Sequence, residues 1–320
     1  MAIQAIAAVH HGERNGRPLG CTQSGGPRSA RMPEIDMMRH ADGPSHAWKA
    51  RAAMNVTGNP SEIKPDRLLL SRRLGEIRTK PFCFFHIDNY LPDALYESLR
   101  ESFPDESTYD SDGSGKLGFR SSDEPDDFER FCAQNPDWQR LLDFFRSDEF
   151  VLDAGRTMAP SLIAARDWKA RRRWHNYSEG EIPASRLSYL LEEPVRTTFQ
   201  ISQLPNGAEV IPHTDAPRKL ISLMLYFRDE DWEEASGGAT VFFEPRDAER
   251  ARQWSPTERI PFSELNEIGS CGFARNRLAG FVRSENSFHG VHPIVSPAGQ
   301  TRRALLVNIK RLKWSKRDVL

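Results

Sequence analysis

Residues 196–227 read RTTFQISQLPNGAEVIPHTDAPRKLISLMLYF, and this stretch decides the fold. It contains two runs of apolar, aromatic and β-branched residues, 196–204 and 219–227, which are typical of strands. The turn-forming sequence Pro205-Asn206-Gly207 begins directly after the first run. Further short apolar runs follow at 239–243, 278–282 and 303–309. Several short strands separated by turns predict a β-barrel or a jelly roll.

Upstream of this region the spacing of apolar residues becomes helical. Leu95, Leu99 and Phe103 recur every four residues, which predicts a helix that begins near Pro92. A strand is predicted at 80–90, and further helices are predicted at 138–145 and 149–158. The sequence therefore predicts an α+β protein: a double-stranded β-helix (jelly-roll) core with flanking N-terminal helices.

The domain organisation follows from where the periodic apolar pattern begins in the chain. Residues 1–65 are rich in Gly, Pro, Ser, Arg and Met without periodicity, and we predict a low-order, disordered N-terminal tail. Residues 66–320 are predicted to form one domain. Within it, 66–185 would be a helical support region and 186–312 the jelly-roll core.

Composition excludes some classes of protein. The chain has 320 residues, a formal net charge of -1 and 38% hydrophobic residues. The near-neutral charge argues against a strongly basic nucleic-acid binder, so no nucleic acid is expected as a partner. No run approaches the ~18 apolar residues of a membrane span, so no membrane partner is expected. The acidic segment 105–129 is predicted to be an exposed loop, and the polar span 244–277 an insertion between strands.

The cysteines do not form a recognisable metal or disulfide pattern. Cys21, Cys83, Cys132 and Cys271 are scattered, with no C-x-x-C spacing. This argues against a zinc module and against a disulfide framework. We therefore expect a cytoplasmic protein.

The tripeptide His-x-Asp occurs three times. On a strand, residues i and i+2 face the same side, so an imidazole and a carboxylate can converge on one metal ion. His40-Ala41-Asp42 lies in the predicted tail, and His86-Ile87-Asp88 precedes a helix, where Asp88 or Asn89 is expected to cap the helix instead. His213-Thr214-Asp215 lies in the β-rich half, and we take it as the candidate site.

A distal histidine completes the candidate metal site. His289 follows in the segment Asn286-Ser-Phe-His289-Gly-Val-His292-Pro, where His292 is a competing candidate. Two histidines and one carboxylate, with three open positions on the ion, form the facial triad of non-haem Fe(II) oxygenases. The ligand types disfavour a structural zinc site, because such sites commonly use thiolates.

Residues 199–309 resemble the prolyl 4-hydroxylase-like branch of the Fe(II)/2-oxoglutarate-dependent oxygenases. The order and spacing of the pieces carry this resemblance, since each piece alone is a weak signal. The matching segments are Gln203–Asp215, Ser222–Phe227, Gly237–Phe243, Asn286–Pro293 and Arg302–Leu305.

The resemblance implies a cofactor, cosubstrates and a reaction. Fe(II) would be bound by His213, Asp215 and His289, with 2-oxoglutarate and O2 as cosubstrates and ascorbate as a reductant. The expected reaction is hydroxylation of an unactivated C–H bond with release of succinate and CO2. Related halogenases have a small residue in place of the carboxylate, so Asp215 favours hydroxylation.

The resemblance also implies a buried cation that binds the C5 carboxylate of 2-oxoglutarate. Arg302 and Arg303 are the candidates, and they face opposite sides of a predicted strand. Arg302 is favoured because Arg302-x-Ala-x-x-Val is similar to the family's pattern. Tyr226 is a candidate second contact, with a role as a core aromatic residue as the alternative. Gln203 departs from the family, which often has a tyrosine at this position.

The motifs do not identify the substrate, and both small-molecule and peptidyl substrates stay open. Arg218, Lys219 and Arg283 are candidates for contacting an anionic group, with solvated loop charges as the alternative. Two other functions compete with the oxygenase: a non-catalytic jelly-roll protein that binds metal or senses, and a cupin-type metal enzyme that does not use 2-oxoglutarate. The oligomeric state is not assigned.

Overall fold

The computed structural model describes residues 63–74, 77, 79–111, 115–178, 181, 185–297 and 299–312. All of them belong to one compact unit, Thr57–Leu320. The predicted tail lies almost entirely outside the described residues, so the boundary at residue 65 stays a prediction. None of the described helices is long and apolar enough to cross a membrane.

Two β-sheets form the centre of the protein. The major sheet has eight strands in the order β1-β10-β7-β12-β5-β3-β2, with β4 parallel to β5; the minor sheet has the order β6-β11-β8-β9. The strands are β1 Phe84–Ile87, β2 Asp110–Ser111, β3 Leu117–Arg120, β4 Arg173–Asn176, β5 Glu192–Leu204, β6 Val210–His213, β7 Lys219–Phe227, β8 Thr240–Pro245, β9 Leu265–Cys271, β10 Leu278–Val282, β11 Phe288–Val291 and β12 Arg302–Arg311.

The helices precede most of the strands in the chain. They are α1 Pro65–Leu68, α2 Leu70–Arg73, α3 Asp93–Glu101, α4 Pro125–Gln134, α5 Pro136–Arg146, α6 Asp148–Ala164, α7 Arg186–Leu191 and α8 Ala248–Ala251. The predicted α+β class with a jelly-roll core and flanking N-terminal helices is confirmed.

Three apolar clusters hold the described elements together, and two of them pack against the major sheet. The first lies between α3, α5 and α6 and the outer face of the major sheet, where Phe145 and Phe199 are buried. The second lies between the two sheets and includes Met224 and Phe242. Each such buried side chain contributes roughly 1.5–3 kcal/mol relative to an exposed one. Strand β7 is covered on both faces, which explains its nearly continuous apolar sequence.

The acidic segment 105–129 is not an exposed loop, and this prediction was wrong. It contains β3, which pairs with β5 and buries Phe119, and it also contains the start of α4 with the buried Phe128. The span 244–277 likewise contributes β9, a full strand of the minor sheet. The support region is thus not purely helical, since β1 to β4 all belong to the major sheet.

Candidate metal and cosubstrate site

The two histidines and the aspartate of the predicted triad meet between the sheets. His213 ends β6 and lies directly opposite His289 in the antiparallel register of β6 and β11. Asp215 follows two residues after His213. Ligand atoms of the three side chains lie within 4.8 Å of one another, which is close enough to hold one metal ion.

Hydrogen bonds orient both imidazole rings. Nδ1 of His213 lies 2.9 Å from the carbonyl oxygen of Ile211, and Nδ1 of His289 lies 3.1 Å from that of Ser287. Because a carbonyl oxygen only accepts, Nδ1 carries the proton in each ring. Nε2 is then left with the lone pair that binds a metal ion.

Burial keeps both rings neutral. It lowers the pKa of His213, and burial together with the neighbouring His213 lowers the pKa of His289 to about 3. Neutral imidazole is the form that coordinates a metal, so both ligands are ready at neutral pH.

Asp215 is held as a carboxylate by neighbours on the major sheet. Lys219 donates from Nζ to Oδ1 at 2.5 Å, and Ser222 donates from its hydroxyl to Oδ2 at 2.6 Å. Burial opposes ionisation, but the charge of Lys219 and the hydrogen bonds from Lys219 and Ser222 outweigh it and hold the pKa of Asp215 well below its usual range. Two imidazole nitrogens and one carboxylate fit the preferences of Fe(II), so the donor set present fits the implied metal.

The triad lines a cavity of about 240 Å³ between the two sheets. Its walls mix polar and apolar side chains from both sheets. They include Gln200, Ser202, Leu204, Lys219, Ser222, Met224, Thr240, Phe281, Arg302 and Asn308. A site of this composition can hold a small polar molecule beside the metal position.

Arg302 is a buried cation on the wall of this cavity. Arg302 is 4% exposed. Its Nε donates a hydrogen bond to the carbonyl oxygen of Gly238 at 2.6 Å, and its Nη2 donates one to the hydroxyl of Thr240 at 3.1 Å. The guanidinium lies over the rings of Tyr226 and Phe273. Among the described residues no carboxylate pairs with it. Since a buried charge is costly unless it is paired, Arg302 is suited to bind an anionic ligand.

Arg303 points to the other face of β12. It forms an ion pair with Asp229 and lies over the ring of Phe103, 5.4 Å from the ring centroid. Its charge is therefore already neutralised outside the cavity. The geometry favours Arg302 over Arg303 as the residue that binds an anionic cosubstrate.

Tyr226 lies behind Arg302. Its hydroxyl forms a 2.7 Å hydrogen bond with Oγ1 of Thr240, and Thr240 lines the cavity. Tyr226 is fully buried, and burial raises its pKa. Its position matches the alternative of a core aromatic residue, which supports Arg302 and orients Thr240. Gln203 donates to the carbonyl oxygen of Pro104 outside the cavity.

The competing histidines lie elsewhere. His292 is exposed, with Nε2 2.7 Å from Oε1 of Glu267. His86 is exposed on β1, and Asp88 pairs with Arg277. The capping role expected for Asp88 or Asn89 was wrong, because Pro92 is the residue before α3. The copy at 40–42 lies outside the described residues.

Sequence reasoning missed the residues that surround Asp215. Ser222 was predicted only as part of a strand, and Lys219 was considered as a contact for an anionic group or a solvated loop charge, not as a partner of Asp215. The alternation of β7 places Ser222 on the same face as Met224. That face can be identified from the sequence, but its contact with Asp215 depends on how the two sheets pack.

One comparison with known proteins concerns the segment that carries the site. Residues 199–310 match the sequence model of the 2OG-Fe(II) oxygenase superfamily. This segment contains the whole triad and both arginines, and the resemblance stated above is confirmed. The matched superfamily implies Fe(II), 2-oxoglutarate and O2. A search of curated proteins finds no match.

Several solved structures are similar to the chain. A prolyl 4-hydroxylase from Phytophthora capsici has a TM-score of 0.40 at 14% identity, over 73% of this chain and 64% of that one. The chain thus spans less than two thirds of that enzyme. A prolyl 4-hydroxylase from Pseudomonas putida gives 0.34 at 12% identity, over 72% and 92%. HygX from Streptomyces hygroscopicus, solved with nickel and 2-oxoglutarate bound, gives 0.39 at 12% identity, over 73% and 84%.

Proposed function

We propose that the protein is a non-haem Fe(II)- and 2-oxoglutarate-dependent dioxygenase. It would hydroxylate an unactivated C–H bond of a small-molecule or peptidyl substrate and release succinate and CO2. One observation carries the proposal: His213, Asp215 and His289 meet in a cavity that is also lined by the buried Arg302, which has no carboxylate partner in the part of the chain that the structure describes. A metal triad and a separate cation suit a chelating dicarboxylate.

The chain's own residues would position the cofactor and the cosubstrate. Nε2 of His213, Nε2 of His289 and a carboxylate oxygen of Asp215 would hold Fe(II) on one face. The N–H groups of Arg302 that are not used by Gly238 and Thr240 would bind the far carboxylate of 2-oxoglutarate. With both groups bound, the site would supply oxidative decarboxylation coupled to insertion of one oxygen atom into a C–H bond.

The apolar walls would keep water away from this chemistry. Phe281 packs against the ring of His289 at 4.3 Å between centroids, and Met224 and Leu204 line the cavity. Exclusion of water strengthens the electrostatic interactions inside the cavity. It also favours the neutral form of the two histidines, which the burial of their rings already indicates.

Arg302 supports the oxygenase over its alternatives. A metal-binding jelly roll or a cupin-type enzyme that binds no anionic cosubstrate does not require a buried guanidinium in the cavity that holds its metal ligands. Ascorbate as reductant and the cytoplasmic location stay predictions.

The proposal is tested by the visible absorption of the anaerobic complex. Adding Fe(II) and 2-oxoglutarate to the protein should give the charge-transfer band of a chelated 2-oxoacid. His213→Ala should abolish the band, whereas the exposed His292→Ala should keep it. Absence of the band in the wild type, or its survival in His213→Ala, would contradict the proposal. Succinate release in a substrate screen then identifies the substrate.

A further inference from the structure

Two lysines that the metal and cosubstrate do not require lie at the end of the cavity: Lys219 lines its wall, and Lys310 lies next to Lys219 on the neighbouring strand. Lys219 on β7 and Lys310 on β12 lie directly opposite each other in the antiparallel register. On the other side of β12, Lys310 is also paired in register with Arg196 of β5. Like charges directly opposite each other destabilise a sheet, so these three neighbouring positive side chains are unfavourable for the stability of the sheet alone.

A β-bulge turns Lys219 toward the cavity. Ile309 pairs with Ile221, and Lys310 pairs with Lys219, so Leu220 is an extra residue on β7. Without this bulge, Lys219 would share the face of Ile221, away from Ser222. The bulge places it on the cavity wall, where its amino group reaches Asp215. Bulges of this kind commonly re-aim a side chain beside an active site.

Lys310 follows the face of β12 that carries Arg302 and Asn308. Its side chain is half-buried, and among the described residues it forms neither a hydrogen bond nor an ion pair. Burial and the nearby Lys219 lower its pKa. The acidic groups that it faces are Asp215 and Asp123, and Asp123 is shared with Arg120.

The positive charges of these two lysines are not balanced by the other charges of the site, if the cofactor and cosubstrate of the proposed function are counted. The two charges of Fe(II) and the one of Arg302 are balanced by Asp215 and the two carboxylates of 2-oxoglutarate. Asp215 would then act as a metal ligand, and Lys219 would lose most of its neutralisation. Lys219 and Lys310 would remain as excess positive charge.

Distance separates the lysines from the cosubstrate anchor. Lys310 is eight residues along β12 from Arg302, which is about 26 Å in an extended strand. A five-carbon dicarboxylate held by Arg302 and the metal does not reach that far. Lys310 therefore lies toward the part of the site that the primary substrate would use, and Lys219, opposite it in the register, contacts the proposed metal ligand Asp215.

We propose that Lys219 and Lys310 bind an anionic group, a carboxylate or a phosphate, of the primary substrate. The substrate would be placed by this group at one end and would present its reacting C–H bond to the metal at the other. A neutral substrate would leave Lys310 without a counter-charge beside the cavity and Lys219 with only the carboxylate that the metal also uses. Arg196 is already engaged by the carbonyl oxygens of Tyr177 and Ser178 and is not part of this pair.

The test measures binding without turnover. The full chain is saturated with Mn(II) and 2-oxoglutarate under anaerobic conditions, and acetate, acetamide and inorganic phosphate are titrated at constant ionic strength. Calorimetry and the thermal midpoint report binding. Acetate and acetamide are matched in size and differ in charge, so only acetate should bind.

Variants separate the lysines from the rest of the site. Lys310→Met does not touch a proposed metal ligand and should weaken acetate binding by about tenfold or more, while 2-oxoglutarate affinity stays unchanged. Lys219→Met should weaken it similarly, and Lys219→Arg should restore it to within about threefold. Lys169→Met removes an exposed lysine away from the cavity and serves as the control. Should Lys310→Met not fold, Lys310→Gln takes its place.

Each outcome is decisive. Tighter, Lys310-dependent binding of phosphate than of acetate supports the proposal with a phosphate-bearing substrate, and the reverse order supports a carboxylate. Equal binding of acetate and acetamide overturns it, as does wild-type acetate affinity in Lys310→Met. If the wild type binds no 2-oxoglutarate at all, the oxygenase function itself fails and this inference fails with it. Normal 2-oxoglutarate binding without binding of either acetate or phosphate overturns the lysine proposal alone.

Discussion

The hydroxyl of Ser222 donates a 2.6 Å hydrogen bond to Oδ2 of Asp215, and this contact joins the two sheets at the metal position. Ser222 belongs to β7 of the major sheet, whereas Asp215 follows β6 of the minor sheet. One carboxylate oxygen is thereby fixed. The orientation of the proposed metal ligand depends on a residue that does not itself contact the metal.

Replacing Ser222 should therefore weaken metal binding. We expect Ser222→Ala to lower Mn(II) affinity by roughly 10–100-fold, because outer hydrogen bonds orient metal ligands. Calorimetric titration of the metal-free protein measures this. Ser270→Ala, at an exposed position of β9, should bind Mn(II) like the wild type. Unchanged affinity in Ser222→Ala would show that Asp215 is positioned by other contacts.

The two arginines at the start of β12 should differ sharply in their contribution to 2-oxoglutarate binding. Arg302→Met should weaken 2-oxoglutarate binding by roughly 100-fold, about 2.7 kcal/mol, since it removes the buried partner of a carboxylate. Arg303→Met breaks only a pair with Asp229 outside the cavity and should leave the affinity unchanged. Titration of the Mn(II)-loaded variants with 2-oxoglutarate measures both. A larger loss in Arg303→Met would reverse the assignment.

Gly290 should be intolerant of a side chain. A Cβ at this position would lie 2.5 Å from the backbone oxygen of Val210, on the strand that carries His213. Gly290→Ala must push β6 away from β11, so we expect a loss of about 1–3 kcal/mol in the free energy of unfolding. Metal affinity should fall as well. At Gly272 a Cβ meets only the end of the Arg277 side chain, so Gly272→Ala is the matched control in chemical denaturation.

A buried ion pair at the end of β12 should make stability depend on pH. Glu193 is 1% exposed, pairs with Arg311, and has a pKa raised by burial. In Arg311→Leu the carboxylate loses this partner, and we expect the protein to lose about 3 kcal/mol of stability near neutral pH.

The sign of the pH effect follows from the direction of the pKa shift. Without Arg311 the folded protein would bind the Glu193 proton more tightly than the unfolded chain does. Stability is then highest below the unfolded pKa of about 4.3 and falls as pH rises through the folded value. Urea unfolding from pH 4 to 7 should show that the loss of stability in Arg311→Leu, relative to the wild type, grows with pH. Arg250→Leu breaks an exposed pair with Glu264 and should cost at most about 1 kcal/mol at any pH.

The strands that carry the site could be predicted because their apolar local sequences match their buried positions in the sheets. The apolar runs at 219–227 and 278–282 have the same bounds as β7 and β10. Strand β3 was missed because its few residues lie among acidic and glycine-rich neighbours. Its pairing with β5 joins segments about 80 residues apart, and no local pattern reports such a contact.

In the candidate site, too, some features could be predicted from the sequence and others could not. The spacing of His213, Asp215 and His289 could be read from the sequence, and the structure brings these residues together. The sequence pattern favoured Arg302 over Arg303, and the opposite faces of β12 on which the two side chains lie support that choice. The bulge at Leu220 was hidden, because one extra residue in a pairing leaves no trace in an apolar run. The sequence therefore could not show that Lys219 faces the cavity.

The pairing of His213 with His289 has a consequence for how the protein is made. These residues are neighbours on adjacent strands but lie 76 positions apart, from 213 to 289. At a synthesis rate of roughly 5–20 residues per second, about 4–15 s pass between their appearance on the ribosome. During that interval His213 and Asp215 exist without their third ligand. The complete set of three ligands would therefore form only after His289 has been synthesised, so the proposed ion would not hold all three together during the early folding of the chain.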